Sequence, residues 1–295
     1  MKPQSGIALI QVLIISLVLT MLSLFILQSV KRQVDVSEMV KANFSLRLAI
    51  ENAEAELLKT LVEFRPYRNE SSESEIVRNW NFYNQPFSMG NSVTIQIQDV
   101  RGLVNLNYIN KQLLLNTLQE LGVKKKELRV LVESLQDWID SDDLKRLNGA
   151  EKSYYEYLNK VPPRNNILTS TQELKNVRGS QALSDKTLDD YFTVLNQIGF
   201  NPMNSPEVVL KAFLGDVRVA EQIMALRNSH QLTEQKFKSL SGIQSDEYIS
   251  FATGSYLKVQ LSAARGGIVL KKAFDIRLKP ASTSSPVIIS NVIWN

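Results

Sequence analysis

An uncharged apolar stretch near the N-terminus constrains the fold of this chain more than any other feature. From Ile7 to Val30 the sequence has 24 residues without a charged side chain. A helix of that length, at about 1.5 Å per residue, crosses the roughly 30 Å hydrocarbon core of a bilayer. A cleavable signal peptide has a shorter apolar stretch, of about 7–15 residues, followed by a small-residue cleavage site. Lys31 and Arg32 follow here instead, so we expect a single membrane anchor that is retained.

The helical pattern continues beyond this apolar stretch. Apolar residues recur with helical spacing as far as Val62, and neither Gly nor Pro interrupts that region before Pro66. One helix from about residue 7 to 64 is therefore expected, with a length of about 87 Å at the standard rise. We predict that residues 7–30 span the membrane and that residues 31–65 form an amphipathic continuation, whose apolar face packs on a domain.

Strand signals bracket a long helical middle. Residues 91–99 alternate Val or Ile with Thr or Gln, two alternating runs around a Gly-Gly pair predict a hairpin, and "PVIISNVIW" predicts a last strand. From about 101 to 249 the pattern is helical. The simplest fold is α+β, in which the long helix packs on an antiparallel sheet formed by residues 66–100 and 250–295. Residues 101–249 are then an all-helical insertion between the strands.

The middle of the chain also contains a weak internal repeat. "GLVNLNYINKQLLLNTLQELG" and "GFNPMNSPEVVLKAFLG" both place a Gly, an apolar residue and two closely spaced Asn before a short helix rich in Leu and Val. Asn and Ser are favourable N-cap residues, so Asn107, Asn110, Asn204 and Ser205 are predicted to cap helices, with Pro206 at a first helical position. The repeat predicts two related helical subdomains.

Composition and motifs argue against catalysis. The chain has no cysteine, which excludes a thiol nucleophile, a disulfide and a zinc-thiolate site. Its one histidine, His230, falls in a predicted surface loop between helices. The sequence contains no phosphate-loop, dinucleotide-binding or HExxH motif. The net charge of +4 comes from 34 basic and 30 acidic residues in mixed order, which does not indicate a nucleic-acid surface. We expect no enzymatic activity.

The N-terminus carries a family resemblance. A short basic leader that ends in Gly6, then "IALIQVL" and the long helix, resembles the leader of type IV pilins and pseudopilins. The resemblance implies that a prepilin peptidase cleaves between Gly6 and Ile7 and methylates the new amine. Most members carry Glu at the fifth mature position, where this chain has Gln11. A buried carboxylate needs a partner, which the resemblance implies is the N-terminal amine of a neighbouring subunit.

Gln11 cannot form that ion pair, so we interpret it as the mark of a subunit that does not dock under another one. On the leader alone, an ordinary anchor with one polar residue remains an equal alternative.

The order of motifs in the middle narrows the resemblance. "DVRGLVNLN", "DWIDSDD", "NGAEKSYYEYL", "PPRNN" and "ELKNVRG", followed by the second Asn-containing repeat, are similar in that order to the K-type minor pseudopilins of type II secretion systems. That family also departs from the fifth-position Glu. The resemblance implies a subunit that caps the tip of the pseudopilus and helps initiate its assembly for protein export across the outer membrane.

The same resemblance implies the partners and the location of the protein. The partners are I- and J-type minor pseudopilins in a tip complex, the major pseudopilin and the prepilin peptidase, with no nucleic acid. The implied location is the bacterial inner membrane, which the chain crosses once, with the C-terminal domain in the periplasm.

The acidic stretch "DWIDSDDLKRLNGAE" is the candidate metal site. Calcium prefers several oxygen ligands, although the spacing here is not that of an EF-hand. The family resemblance implies calcium in this region, and it is our only cofactor prediction. The predicted ligands are Asp137, Asp140, Asp142, Asp143 and Glu151. Lys145 and Arg146 stand where a Pro-rich loop is more usual, and the acids that often follow Glu151 are missing, so a ligand or a site can be lost. Acids that cap helices and solvate a loop are the alternative.

A membrane-anchored DNA receptor with helix-hairpin-helix repeats is the alternative function. "FNPMNSPEVVLKAFLG" and the residues after it resemble that module, in which a Gly-rich hairpin presents backbone N–H groups to a phosphate. The hairpin here reads Gly215, Asp216, Val217, which lacks the second glycine and adds a negative charge. No Lys/Arg cluster compensates, so we expect this scaffold to make protein contacts.

Overall fold

The computed structural model describes residues 5–90, 92–197, 199–279, 281–282 and 284–295, with the backbone alone for residues 5–7. The fold is α+β, which confirms the predicted class: a long N-terminal helix, an antiparallel sheet and a mainly helical region between strands.

The helices and strands follow in chain order. The helices are α1 (Ser5–Glu63), α2 (Glu75–Asn79), α3 (Lys111–Glu120), α4 (Lys125–Ile139), α5 (Lys152–Tyr157), α6 (Asp185–Tyr191), α7 (Glu207–Leu214), α8 (Val217–Asn228) and α9 (Glu234–Ser241). The strands are β1 (Phe87–Met89), β2 (Val93–Asp99), β3 (Val104–Asn105), β4 (Phe192–Thr193), β5 (Tyr256–Arg265), β6 (Ile268–Leu278) and β7 (Val287–Trp294).

Helix α1 has two halves with different surroundings. In the first half, every large apolar side chain from Leu9 to Leu27 is 52–66% exposed. Its most apolar 18-residue window has a mean hydropathy of 2.7, so this half is long and apolar enough to cross a membrane. In the second half, one stripe at helical spacing is buried: Leu46, Ile50, Ala53, Leu57 and Leu61. The second half therefore packs on the folded domain while the first half contacts none of the described residues closely enough to be buried.

The main sheet has five strands in the order β1-β2-β5-β6-β7, and all neighbours are antiparallel. Alternate residues of β2, Val93, Ile95 and Ile97, face the same hydrophobic cluster as the stripe of α1. The hairpin between β5 and β6 turns at Gly266 and Gly267, whose φ angles of 57° and 82° suit a two-residue hairpin loop. The predicted hairpin is confirmed.

The inserted region differs from the predicted all-helical pattern in one detail. It contains a two-residue parallel pair, β3 with β4, which is too short to leave a periodic sequence signal. One hydrophobic cluster gathers side chains of α3, α4, the segments up to β4, and Val209 and Ala212 of α7. A separate small cluster of Leu210, Ile223 and Phe237 lies within α7, α8 and α9.

The carboxylate of Asp99, at the end of β2, joins the insertion to the sheet. Asp99 is fully buried. It accepts hydrogen bonds from the backbone N–H of Arg101 at 3.0 Å, from the backbone N–H of Gly254 at 3.1 Å and from Nδ2 of Asn204 at 2.9 Å. Burial raises the pKa of Asp99, while the bond from Asn204 opposes that shift. One side chain thus holds the start of the insertion, its second Asn-containing repeat and its end.

The predicted caps of the internal repeat are correct at only one position. Asn110 caps α3, since its Oδ1 accepts the N–H of Leu113 at 3.0 Å. Asn107 instead exchanges hydrogen bonds with the backbone of Leu168, and Asn204 donates to Asp99. The predictions for Ser205 and Pro206 are also wrong. Pro206 occupies the N-cap position of α7, and Ser205 lies one residue before that cap. Asn107 and Asn204 instead form contacts between distant segments, which the N-cap preference of asparagine does not predict.

Replacing Asp99 with Ala should destabilise the junction strongly. The change leaves the donors on Arg101, Gly254 and Asn204 buried without their acceptor, and we expect a loss of about 3 kcal/mol in the free energy of unfolding. Urea unfolding of the detergent-solubilised chain, followed by tryptophan fluorescence, measures this. The exposed residue Asp35 offers a matched control, and an equal effect of Asp35→Ala would contradict the prediction.

Candidate functional site

The candidate site is the acidic loop, residues 137–151, which links α4 to α5. Helix α4 is amphipathic and buries Leu128, Leu131, Leu135 and Trp138 on one side. Asp137 lies in its last turn and Asp140 caps its C-terminus, so the two carboxylates are one turn apart on the same face. The loop after them folds back across this end of the helix.

Arg146 bridges the two helical carboxylates. Asp137 is fully buried, and Nη1 of Arg146 lies 2.6 Å from its Oδ1. The same Nη1 lies 2.5 Å from Oδ2 of Asp140. The backbone N–H of Arg146 also donates to Asp137, at 3.2 Å from Oδ2. These two charged hydrogen bonds raise the pKa of the Arg146 guanidinium, which is therefore a permanent cation in this position.

Gly149 allows the loop to close on Asp137. A Cβ atom at residue 149 would overlap the Asp137 carboxylate, so only glycine fits without movement. The backbone carbonyl of Gly149 accepts a hydrogen bond from Nη1 of Arg178 at 3.1 Å. Sequence reasoning missed the roles of Arg146 and Gly149. The sequence carried a signal for both, because an Arg and a Gly occur within a run of acidic residues.

Glu151 lies close to this bridge without a donor of its own. Its side chain is 4% exposed, and neither carboxylate oxygen has a hydrogen-bond partner among the described residues. Oδ1 of Asp140 is likewise buried and has no hydrogen-bond partner among the described residues. Burial, followed by the negative charges of Asp137 and Asp140, raises the pKa of Glu151 to about 7.

The other two predicted ligands lie on the exposed side of the loop. Oδ1 of Asp142 accepts the backbone N–H of Leu144 at 2.8 Å. Oδ1 of Asp143 accepts Nδ2 of Asn165 at 3.1 Å. The structure therefore buries Asp137 and Glu151 and half-buries Asp140 at the end of α4, whereas exposed Asp142 accepts a bond from within the loop and exposed Asp143 accepts one from the segment around Asn165.

This arrangement does not fit a calcium ion. Calcium takes six to eight oxygen ligands at about 2.3–2.6 Å. Within the described ranges, no group of three or more Asp, Glu, His or Cys side chains is placed to hold a metal ion. Unpaired oxygens of the right chemistry exist on Glu151 and Asp140, but the most buried acid, Asp137, has its oxygens on Arg146. Calcium and its five ligands stay predictions.

The leader residues give little further geometry. Gly6 and Ile7 belong to the first turns of α1 by their backbone, and their side chains lie outside the described residues. Gln11 is exposed on α1, within the half that is long enough to span a membrane. Cleavage between Gly6 and Ile7 and the role of Gln11 stay predictions.

The hairpin between α7 and α8 argues against phosphate binding. Gly215 ends α7 in the left-handed conformation, with φ 67°. Oδ1 of Asp216 then accepts the N–H groups of Arg218 at 2.8 Å and Val219 at 3.3 Å. A phosphate would need these same donors, and it would meet a carboxylate in their place. His230 is exposed at the turn after α8, where a surface loop was predicted.

The pKa of Glu151 generates a pH prediction. Its pKa of about 7 in the fold exceeds the ordinary value of 4.5, so the folded state binds the proton more tightly. The stability that this group contributes is complete below about pH 4 and is lost as the pH rises through 7. Glu151→Gln, which stays neutral, should therefore raise the melting temperature more at pH 8 than at pH 5.

Melting curves in the presence of a chelator test this. The exposed Glu156, which pairs with Lys152 at 3.7 Å, provides the control variant Glu156→Gln. Parallel pH profiles for wild type and Glu151→Gln would refute the assignment.

Comparison with known proteins points to one family. Residues 99–197, which include the acidic loop, match the family model described as type II secretion system (T2SS), protein K. The chain is 27% identical over 209 residues to the putative type II secretion system protein K of Escherichia coli K12, an alignment that covers 65% of this chain and 63% of that protein. It is 29% identical over 143 residues to type II secretion system protein K of Pectobacterium carotovorum subsp. carotovorum, with coverage of 42% and 43%.

The alignments thus cover less than two thirds of the length of these relatives. A solved structure shares the fold over a longer range. A chain of the crystal structure of the GspK-GspI-GspJ complex from the enterotoxigenic Escherichia coli type 2 secretion system superposes with a TM-score of 0.52. That match covers 83% of this chain and 94% of the other at 18% identity. The family model over residues 99–197 and the two relatives agree that this chain is similar to type II secretion system protein K, and the solved structure shows the same fold.

Proposed function

We propose that this chain is a minor pseudopilin that caps the tip of the type II secretion pseudopilus and helps initiate its assembly, for protein export across the outer membrane. It acts as a structural component, with no catalytic step of its own. One observation carries the proposal: the bulky insertion is rooted at the end of α1 that lies farthest from its membrane-length apolar half. The following contacts establish that placement.

The root of the insertion contacts the C-terminal end of α1. Oγ1 of Thr253 donates to the backbone carbonyl of Pro66 at 2.9 Å, directly beside Gly254 and Asp99. The opposite end of β5 lies lower on the helix, where Nη1 of Arg265 is 3.5 Å from Oγ of Ser45. The insertion is therefore attached near the membrane-distal end of α1, and we infer that it occupies the space in which a further subunit would have to stack its own helix.

Gln11 fits the same position. A subunit inside the shaft needs a partner for the N-terminal amine of its neighbour within the bilayer, and an amide cannot supply the charge. At the end of a stack that requirement disappears. The bulk of the insertion and the uncharged residue at position 11 thus support one location, the tip.

An exposed apolar stripe on α1 supplies a surface for neighbouring subunits. Its members, which its own sheet leaves 49–69% exposed, are Met39, Val40, Phe44 and Leu48. We assign this stripe to helix packing with I- and J-type minor pseudopilins and, below them, the major pseudopilin. A relative of the same fold was crystallised in a GspK-GspI-GspJ complex, which supports such partners.

The location follows from α1 and from the family. The proposed protein crosses the bacterial inner membrane once and carries its C-terminal domain in the periplasm, after the prepilin peptidase removes residues 1–6 and methylates Ile7.

Intact mass of the membrane protein tests the processing step. Expression with a prepilin peptidase should remove the six leader residues and add one methyl group, whereas expression without the enzyme should leave the full chain. Gly6→Val should block cleavage, because the family places glycine at the cut. A full-length chain in cells that contain an active peptidase would contradict the proposal.

The position in the pseudopilus and the stripe need separate tests. A tag at the C-terminal Asn295 should label only the ends of pseudopili in electron micrographs, and labels repeated along the shaft would overturn the tip assignment. Phe44→Asp, which places a charge in a surface 69% exposed in the isolated chain, should reduce both export and co-purification of the I-type partner. Glu38→Ala, at an exposed polar position of the same helix, should leave both unchanged.

A further inference from the structure

The acidic loop must neutralise a charge that it has buried. Asp137 is fully buried at the end of α4, and Asp140 lies one turn later. Two carboxylates at this spacing repel each other, and a buried carboxylate without a counter-charge is strongly unfavourable. Some cation has to lie between them for the loop to close.

Arg146 lies where that cation is required. Its Nη1 is 2.6 Å from Oδ1 of Asp137 and 2.5 Å from Oδ2 of Asp140, so a single nitrogen bridges both acids. Its backbone N–H approaches the same Asp137 carboxylate at 3.2–3.3 Å, which fixes the loop as well as the side chain. The Asp137 oxygens therefore accept hydrogen bonds from one residue through two different groups.

The loop is shaped around this bridge. The absence of a Cβ at Gly149 lets the backbone lie against the Asp137 carboxylate, and Oε2 of Glu133 holds the N–H of Asn148 at 2.7 Å. Lys145, the other basic residue of the loop, is exposed and forms no ion pair in the described part of the chain. Of the two basic residues of the loop, Arg146 is the one that contacts the acids at the buried end of α4 in the described part of the chain.

We propose that Arg146 serves as the built-in cation of the acidic loop, in the place that a bound calcium ion would take, so that the loop folds without metal.

Thermal unfolding of the full chain in detergent tests this without reference to secretion. Trp138, in the last turn of α4, is one of the three tryptophans whose fluorescence follows unfolding. Wild type should melt at the same temperature in millimolar calcium as in excess chelator. Arg146→Ala should melt several degrees lower than wild type in both conditions, because Asp137 and Asp140 lose their counter-charge. Lys145→Ala should match wild type in both conditions.

Calcium binding by calorimetry supplies a second readout. Wild type should show no binding heat. A calcium-induced rise in the melting temperature of wild type, or an Arg146→Ala variant as stable as wild type in chelator, overturns the proposal. If Arg146→Ala fails to fold, Arg146→Lys replaces it, because lysine retains the charge but lacks the planar guanidinium. Arg146→Lys should fold and should melt at a lower temperature than wild type. Wild type alone still decides whether calcium is needed.

Discussion

The architecture depends on one buried carboxylate, that of Asp99, because the large insertion is connected to the sheet by two short segments, one after β2 and one before β5. Asp99 ends β2 and accepts hydrogen bonds from the residues that begin and end the insertion, and from Asn204 within it. Gly254 has no room for a Cβ, and neither has Gly102, whose neighbour is the backbone carbonyl of Asn204. The close approach of these segments fixes the direction in which the insertion leaves the sheet.

The place where the insertion is attached distinguishes the two ends of α1. One continuous helix provides an apolar half of membrane length and a half that packs by a single stripe on the sheet. Since the insertion is attached near the C-terminal end of α1, it lies at the opposite end of the helix from the half that is long and apolar enough to cross a membrane.

The acidic loop shows how one basic residue neutralises a run of acids from within the chain. A run of five acids satisfies the composition of a calcium loop. The position of Arg146, between Asp137 and Asp140, supplies the positive charge from within the chain instead. An arginine is always charged, so this loop carries its own counter-charge.

The sequence by itself determined the long helix, its division between membrane and domain, the β5–β6 hairpin with its Gly-Gly turn, and the α+β class, because each depends on local periodicity or on turn chemistry. Only the tertiary structure decided the use of Asn107 and Asn204, which look like caps in the sequence and instead hold distant segments. The same is true of Arg146 and Glu151. The charge of an acidic run is visible in the sequence, but the sequence does not show which carboxylates are buried or which cation reaches them. Both depend on how the tertiary structure brings residues together and removes them from water.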